Sequence, residues 1–398
     1  MNKKVNEKIA LFGAGYVCRE AIHELGKENI CCIIDNDKQK IGIVINGIIV
    51  VSLEEFLKSN QRRILITTYH VQEIIEQLEQ LDIFGELKID VYRPLFQGYG
   101  EKDRYISNHY DNNEVESSEL EWNNTLRNKM ERNYVNGLAK VLAMGKELPL
   151  FDHVEIETYN RCNGLCSFCP VNVKNEVRPE KKMTKELFMK IISELSEINY
   201  TGKICLFSNN EPFLDSNIVE YHKIARQLLP NARFHLFTNG TLLTVEKFKE
   251  IIDYLDELII DNYNQDLQLN SSVKKTYEYC KNHEGLMTKV TICMRKQDEI
   301  LTSRGGDSPN RKEVVDVSND RCVMPFYQLI IRPDGKVSLC CNDPLGKTTL
   351  GDINNSSIYD IWYGDKHKSI AYSISKGRAN FEHCKNCDVF NIATRMKR

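Results

Sequence analysis

From residue 8 onward the chain alternates short apolar runs with amphipathic stretches, and the spacing of the apolar positions separates strands from helices. Ile9 to Phe12 and Ile30 to Ile34 are strand-sized runs. Between them lie a glycine turn, Gly13-Ala14-Gly15, and a helical pattern that reaches Leu25 and is closed by Gly26. The alternation continues with a strand at Ile48 to Val51, a helix at Leu53 to Lys58, a strand at Arg63 to Thr67, a helix at Val71 to Leu81 and a strand at Glu86 to Val91. This predicts a doubly wound α/β domain over residues 1–98.

Residues 99–150 read differently, polar first and then rich in good helix formers from Leu120 to Met144, which predicts a linker and a packing helix. A second regular alternation begins at Asp152. Strands are expected at His153 to Thr158, Lys203 to Phe207, Arg233 to Phe237, Glu257 to Ile260 and Lys289 to Met294. Helices are expected between them at Thr184 to Ile198, Ile218 to Leu229, Val245 to Leu255 and Ser272 to Asn282. A parallel sheet wrapped by helices follows for residues 151–311. The remaining part, 312–398, carries a predicted hairpin, Tyr327 to Ile331 and Lys336 to Leu339 about the turn Arg332-Pro333-Asp334-Gly335, then a helix-like stretch from Ile358 to Ile370.

Charge and composition narrow the picture by exclusion. A formal net charge of -3 over 398 residues gives no electrostatic case for nucleic acid or a membrane surface as the partner. The apolar runs are far short of the ~20 residues that span a bilayer, and no signal peptide is visible, so a cytoplasmic protein is expected. In that reducing setting, 14 cysteines are not a disulfide framework. Six of them, Cys18, Cys31, Cys32, Cys205, Cys280 and Cys293, fall singly or inside apolar segments and read as small buried hydrophobes.

The other eight carry candidate chemistry. Cys162, Cys166 and Cys169 are spaced Cys-x3-Cys-x2-Cys on a loop just after a strand. Three thiolates can hold three irons of a cubane and leave the fourth without a protein ligand. A zinc site completed by His153, or one edge of an electron-transfer cluster, are the alternatives. Four marked stretches sit at strand ends: this loop, Ser208-Asn209-Asn210-Glu211-Pro212, Thr238-Asn239-Gly240 and Asp261-Asn262. In a parallel sheet they would share one mouth. Further on, Cys322, Cys340, Cys384 and Cys387 would encircle a second, closed [4Fe-4S] cluster, with Cys341 either packing or trading places with Cys340 and a four-cysteine zinc knot as the alternative. In the first domain, Gly13 and Gly15 let a backbone approach a phosphate at a helix N-terminus, and Asp35 lies where a ribose-binding acid is expected, although Cys18 occupies the third glycine position.

The cysteine loop, the Glu-Pro turn and the Thr-Asn-Gly turn, in this strand order, resemble the radical S-adenosylmethionine (SAM) superfamily, whose fold is a partial (β/α)6 barrel. The resemblance implies that Cys162, Cys166 and Cys169 hold a [4Fe-4S] cluster whose open iron binds SAM. It also implies that Phe168 borders the adenine, that Asn209, Asn210, Asn239 and Asp261 lie around SAM, and that Glu211 accepts from the SAM amino group. Asn209 and Asn210 stand where that family has two glycines. Residues 312–398 resemble the SPASM or shorter Twitch extension, which implies one auxiliary [4Fe-4S] cluster. Arg304, after the last barrel strand, matches an arginine thought to handle a substrate proton in a related aminoglycoside dehydrogenase. The Rossmann-like front domain resembles modules of bacterial sugar acyltransferases that can hold a nucleotide sugar. The expected activity is therefore hydrogen abstraction from a sugar, polyol or nucleotide sugar, ending in dehydrogenation or epimerisation and fed by a donor such as flavodoxin or ferredoxin. A peptide-modifying SPASM maturase, or a front domain that serves only for docking, are the competing expectations.

Overall fold

A computed structural model describes residues 8–68, 70–81, 87–92, 106–108, 110, 142, 147–148, 150–283, 285–311, 319, 321–322 and 324–389. The packing helix expected over 120–144 lies outside these residues, apart from Leu142. The chain forms two compact units, one built on the residues up to 101 and the other on those from 145 onward, with 102–113 belonging to the second.

In the first unit the strands β1 (Ile9–Phe12), β2 (Ile30–Ile34), β3 (Val44–Ile45), β4 (Ile48–Val51), β5 (Arg63–Ile66) and β6 (Lys88–Val91) form one sheet in the order β3-β4-β2-β1-β5-β6. All neighbours are parallel except the β3-β4 hairpin. This is the doubly wound order, with α1 (Tyr16–Leu25), α2 (Leu53–Leu57) and α3 (Val71–Gln80) as its described helices. Two apolar clusters form its core, one centred on Phe12, Phe56 and Leu78 and the other on Leu11, Ile33 and Val50. Cys18 is buried in the second cluster, where a third glycine would have left space.

In the second unit a parallel sheet runs β8 (His153–Ile156), β9 (Lys203–Cys205), β10 (Arg233–Thr238), β11 (Glu257–Tyr263) and β12 (Val290–Arg295), each next to its successor. The connecting helices α4 (Lys185–Glu197), α5 (Ile218–Leu228), α6 (Val245–Ile251) and α7 (Ser271–Lys281) follow the predicted periodicity. Thr184 and Thr244 start α4 and α6 by accepting from Leu187 N and Lys247 N at 3.2 and 3.3 Å. Val154, Ile156, Ile204, Phe234, Leu236 and Ile260 are buried in the sheet-helix core with Phe188 and Phe248.

Three features differ from the sequence expectation. Ile106–Asn108, in the stretch read as linker, is a strand, β7, that pairs parallel with β12 and so continues the sheet past its fifth barrel strand. The hairpin β13 (Gln328–Ile331) and β14 (Lys336–Ser338) forms as expected, but β13 lies parallel against β8, and with β15 (Thr349–Asp352) it extends the same sheet. Finally, the stretch from Ile358 to Ile370 is two helices, α8 (Ile358–Trp362) and α9 (Asp365–Ser375). They meet at Gly364, where a β-carbon would lie 2.7 Å from the Asp360 carbonyl oxygen. No described helix is long and apolar enough to cross a membrane.

Candidate active site

The loop after β8 brings its sulfurs together through local backbone geometry. Gly164 N donates to Cys162 Sγ at 3.3 Å, and a β-carbon on Gly164 would lie 3.2 Å from Cys162 Sγ and 3.9 Å from Cys166 Sγ. The two sulfurs thus face one side of a residue that must stay small. Asn172 Nδ2 donates to Cys166 O at 2.7 Å and Asn175 Nδ2 to Cys169 O at 3.1 Å, fixing the other two turns. Burial pushes the Cys162 thiol up to about 12, helped by the neighbouring Glu211 and Cys169. Burial does the same to Cys166, helped by Cys169 and Cys162. Buried thiols gathered without a cation resist ionisation, and a bound iron cluster would supply the missing positive charge.

The other marked stretches meet this loop, as expected for strand ends on one mouth. Glu211 N donates to Arg161 O at 2.9 Å, and Asn239 Nδ2 donates to Asn163 Oδ1 at 2.8 Å. The Glu211 carboxylate is buried and already occupied: Oε1 accepts from Thr238 Oγ1 (2.8 Å) and Phe213 N (3.1 Å), and Oε2 from Asn239 N (2.8 Å). One acceptor direction on Oε2 is left for an amino group. Burial raises this carboxyl to about 7 against those three hydrogen bonds. Phe168 is buried against Tyr263, with ring centroids 5.8 Å apart. Burial raises Asp261 to about 6, with Arg295 opposing from 3.8 Å. Arg295 is itself clamped by Glu299, which accepts from Tyr110 Oη at 2.6 Å, so the residues around β7 reach this network.

The C-terminal cysteines separate by position. Cys322, Cys340, Cys384 and Cys387 are all buried and line one cavity, and Cys341 does not. Burial and the neighbouring sulfurs push the Cys340 and Cys384 thiols well up. Among the described residues no three His, Cys, Asp or Glu side chains are grouped to hold a single metal ion. Four thiols around a cavity suit a larger, four-iron body. Arg378, buried beside them, donates to the carbonyls of Cys387 and Val389 and places a cation next to the thiol set.

Cys341 instead belongs to a chain of hydrogen bonds that links Arg304 and the Asn209-Asn210-Glu211 turn to β13 and β8. Arg304 Nη1 donates to Asn209 Oδ1 (2.8 Å), Asn209 Nδ2 donates to Cys341 O (3.2 Å), Cys341 N donates to Gln328 Oε1 (3.4 Å), and Gln328 Nε2 donates to Glu155 Oε1 (2.7 Å). Arg304 is held in the left-handed region at φ 49° by a loop that Ser303 and Arg311 tie to Asp388 (2.7 and 2.9 Å). Gly305 is needed there because a β-carbon would lie 2.4 Å from the His383 ring. Polar atoms are left over along this chain: Glu155 Oε2, Asn210 Nδ2 and His153 Nε2 are buried with no hydrogen-bond partner among the described residues. Burial raises Glu155 to about 7, opposed by Ser208 and Arg304, and lowers His153 to about 4. The sequence reading passed over Glu155 and Gln328. The signal available was the alternation His153-Val154-Glu155-Ile156-Glu157, which points every polar residue to the face opposite the core.

The glycine turn of the first unit is organised differently. Gly13 has φ 110°, and a β-carbon would lie 2.7 Å from Thr68 Cβ, so this glycine answers to its neighbour strand. Asp35 accepts from Ala14 N at 2.7 Å, from Asp37 N at 2.8 Å and from Lys40 Nζ at 3.2 Å, which together hold its carboxyl below the usual range despite partial burial. The expected ribose acid is thus bonded to the very turn that was to receive a phosphate. Gly15 has open space around it.

Comparison with known proteins agrees with the second unit's geometry. Residues 156–283 match the radical SAM superfamily, residues 322–388 the SPASM iron-sulfur cluster-binding domain, and residues 5–89 a family described as C2185-like, N-terminal. The chain therefore carries a radical SAM domain over residues 156–283 and a SPASM iron-sulfur cluster-binding domain over 322–388, and it is a radical SAM enzyme. It is 26% identical over 248 residues to an S-adenosyl-L-methionine-dependent 2-deoxy-scyllo-inosamine dehydrogenase of Niallia circulans, covering 62% of this chain and 96% of that one. Its structure is similar to that of BtrN in complex with AdoMet and 2-DOIA, with a TM-score of 0.52 and 26% identity over 60% of this chain and 94% of that one. An open conformation of BtrN matches at a TM-score of 0.46 and 24% identity over 60% and 93% of the two chains.

Proposed function

We propose that this enzyme oxidises a secondary alcohol of a sugar, polyol or aminocyclitol to a ketone, in glycan or aminoglycoside-like biosynthesis. The observation that carries the reading is the hydrogen-bond chain Arg304-Asn209-Cys341-Gln328-Glu155, which links the turn that carries Glu211 to the residue after Cys340 and has buried polar atoms unpaired beside it. Such atoms suit a hydroxyl-rich ligand, because buried polar groups without partners are costly. The 26% identical dehydrogenase acts on a molecule of that kind.

In this reading Cys162, Cys166 and Cys169 hold one [4Fe-4S] cluster, and Phe168, Asn209, Asn210, Glu211, Asn239 and Asp261 border SAM. Cys322, Cys340, Cys384 and Cys387 would hold the auxiliary cluster, which would accept the one electron left on the substrate after loss of the hydrogen atom and the proton. When bound, the first cluster and SAM supply a carbon radical that takes a hydrogen atom from an unactivated C–H bond. The chain's own part is to seat that carbon, exclude water and move a proton. Glu155, raised to about 7, accepts the hydroxyl proton of the substrate, and Arg304 orients the oxygen from the Asn209 side. Arg378 offsets negative charge at the auxiliary thiols. A flavodoxin or ferredoxin delivers the electrons. The domain boundaries that fit this division of labour are 1–98, 151–311 and 312–398, with 99–150 as a connection that lends β7 to the sheet of the second unit, and with the first domain as a structural or docking module whose Gly13, Gly15 and Asp35 serve the turn itself.

Anaerobic incubation with SAM, a reductant and a panel of polyols and aminocyclitols tests this. A product two mass units lighter, formed with equimolar 5′-deoxyadenosine, is expected. A second reading, epimerisation, rests on Cys341, whose burial keeps its thiol protonated and whose Sγ accepts from Asn342 Nδ2 at 3.5 Å, while Cys205 and Cys280 are locked in the core. A product of unchanged mass in ordinary water that gains one deuterium in heavy water would select it.

A further inference from the structure

Arg378 is buried to 2% exposure in the second unit, in a setting that gives its charge no ordinary partner. The local sequence puts it there. Gly377, at φ 130°, closes the turn after α9 by donating to Ile374 O at 3.0 Å. Two further turns follow, from Phe381 N to Arg378 O at 3.1 Å and from Cys384 N to Phe381 O at 2.9 Å. They bring Arg378, Cys384 and Cys387 around one cavity, which Cys322 and Cys340 also line. The hydrogen bonds of the guanidinium go to neutral groups. Nη1 donates to Cys387 O, and Nη2 to Val389 O and, at 3.4 Å, to Arg321 O, while Nε is buried with no partner among the described residues. Nearby acids are engaged elsewhere. Asp388 accepts from Arg311 Nη2 at 2.9 Å and Ser303 N at 2.7 Å, and Asp343 accepts from Lys347 N at 2.7 Å and Thr348 N at 2.9 Å. No carboxylate among the described residues pairs with Arg378. A buried guanidinium does not shed its proton, and without a counter-charge its burial is costly. The groups left to answer it are the four thiols, and its charge opposes the rise that burial and the neighbouring sulfurs cause at Cys384.

We infer that the cluster held by these four cysteines is the counter-ion of Arg378, and that this pairing raises the cluster's reduction potential so that it takes the substrate's electron. The balance is simple. The alcohol loses a hydrogen atom to the carbon radical and a proton to Glu155, and the electron that remains makes the cluster with its four thiolates one unit more negative. A buried cation beside the site favours that more negative state, because charges interact strongly where water is excluded. The inference rests on the assignment of these cysteines to a [4Fe-4S] cluster and not on which alcohol is oxidised.

The test reads a potential and not turnover. In full-length C166A, whose first site lacks one ligand, a redox titration followed by electron paramagnetic resonance reports the auxiliary cluster. That chain is compared with two others, one that also carries R378Q, which keeps a hydrogen-bond donor but removes the charge, and one that also carries R378K, which keeps the charge. At a fixed potential R378Q is expected to lower the ratio of reduced to oxidised cluster about tenfold or more, a midpoint shift of about 59 mV for one electron, and R378K about twofold or less. Iron analysis accompanies each titration. Uptake of about four iron atoms by R378K and none by R378Q would also uphold the pairing, since only the charge distinguishes the two. Equal ratios in R378Q and its Arg378 parent overturn the inference. So does an equal fall in R378K and R378Q, which would make Arg378 a support for the Cys387 and Val389 carbonyls, and so does loss of iron from both. A C166A parent without about four iron atoms overturns the cluster assignment itself, and the inference with it.

Discussion

The glycine turn after β1 and the cysteine loop after β8 are both short motifs at the end of a parallel strand, yet they dispose of their polar groups in opposite ways. At the glycine turn, Asp35 accepts from Ala14 N and Asp37 N and is paired with Lys40, so the backbone amide and the acid satisfy one another. At the cysteine loop and the mouth beside it, three thiols, the remaining acceptor direction of Glu211, Asn210 Nδ2 and Glu155 Oε2 are left over. A motif that consumes its own hydrogen-bonding capacity is a building device, and one that keeps buried capacity unspent is a site. Glycine spacing alone does not distinguish the two.

The largest effects expected from this contrast lie in the cysteine loop. Replacing Cys166 with Ala removes one of three ligands, and 5′-deoxyadenosine formation is expected to fall by about 1,000-fold or more, while the auxiliary set still binds iron. Iron analysis is expected to drop from about eight to about four atoms per chain. Retention of SAM cleavage by that variant would break the assignment. Next in size is Arg304→Ala, which empties the seat against Asn209. It is expected to lower substrate turnover by about 100-fold, or ~2.7 kcal/mol, while SAM binding changes little. The split between the two readouts is what separates a substrate contact from a cofactor contact.

The strand-helix alternation of both units and the hairpin at Pro333-Asp334-Gly335 were legible because each rests on local periodicity and turn chemistry. The spacing that sets Cys162 and Cys166 around Gly164 is local in the same way. What escaped the sequence depends on pairings between distant segments. The strand Ile106–Asn108 is three residues long and is defined only by its partner β12. Gln328 reaches Glu155 because β13 lies against β8 with Gln328 opposite His153, a register that nothing within either segment announces. Asp35 was read from its distance to the glycines, and distance along the chain does not tell whether the acid faces a ligand or the turn.

Two smaller effects sharpen the contrast. Asp35→Ala leaves the Ala14 amide without its acceptor and Lys40 without its pair, so it is expected to destabilise the protein by about 2 kcal/mol, with SAM cleavage unchanged. Denaturant unfolding beside a 5′-deoxyadenosine assay checks it. Calorimetry with NAD and nucleotide sugars that showed binding lost in this variant would instead make Asp35 a ligand contact.

The smallest effect concerns Glu155, where unspent capacity has a cost in stability. Its carboxyl is raised from 4.5 to about 7 by burial, so between those values the folded state holds a proton that the unfolded chain has released. For a carboxyl shifted upward, stability is full below the unfolded value and is lost as pH rises toward the folded one. Above about pH 7 the native protein carries a buried, half-paired charge. Glu155→Gln keeps an oxygen to accept from Gln328 and removes that ionisation. In the cluster-free protein the variant is therefore expected to exceed wild type in stability by about 1 to 2 kcal/mol at pH 8, with the difference shrinking toward pH 5. Comparing the variant with wild type cancels the opposing pull of His153 and His222, both lowered to about 4 by burial. The same variant is expected to lose substrate turnover, the exchange of stability for function that a binding residue makes. A pH-independent difference would mean that Glu155 is already satisfied in solution and would remove it from the site.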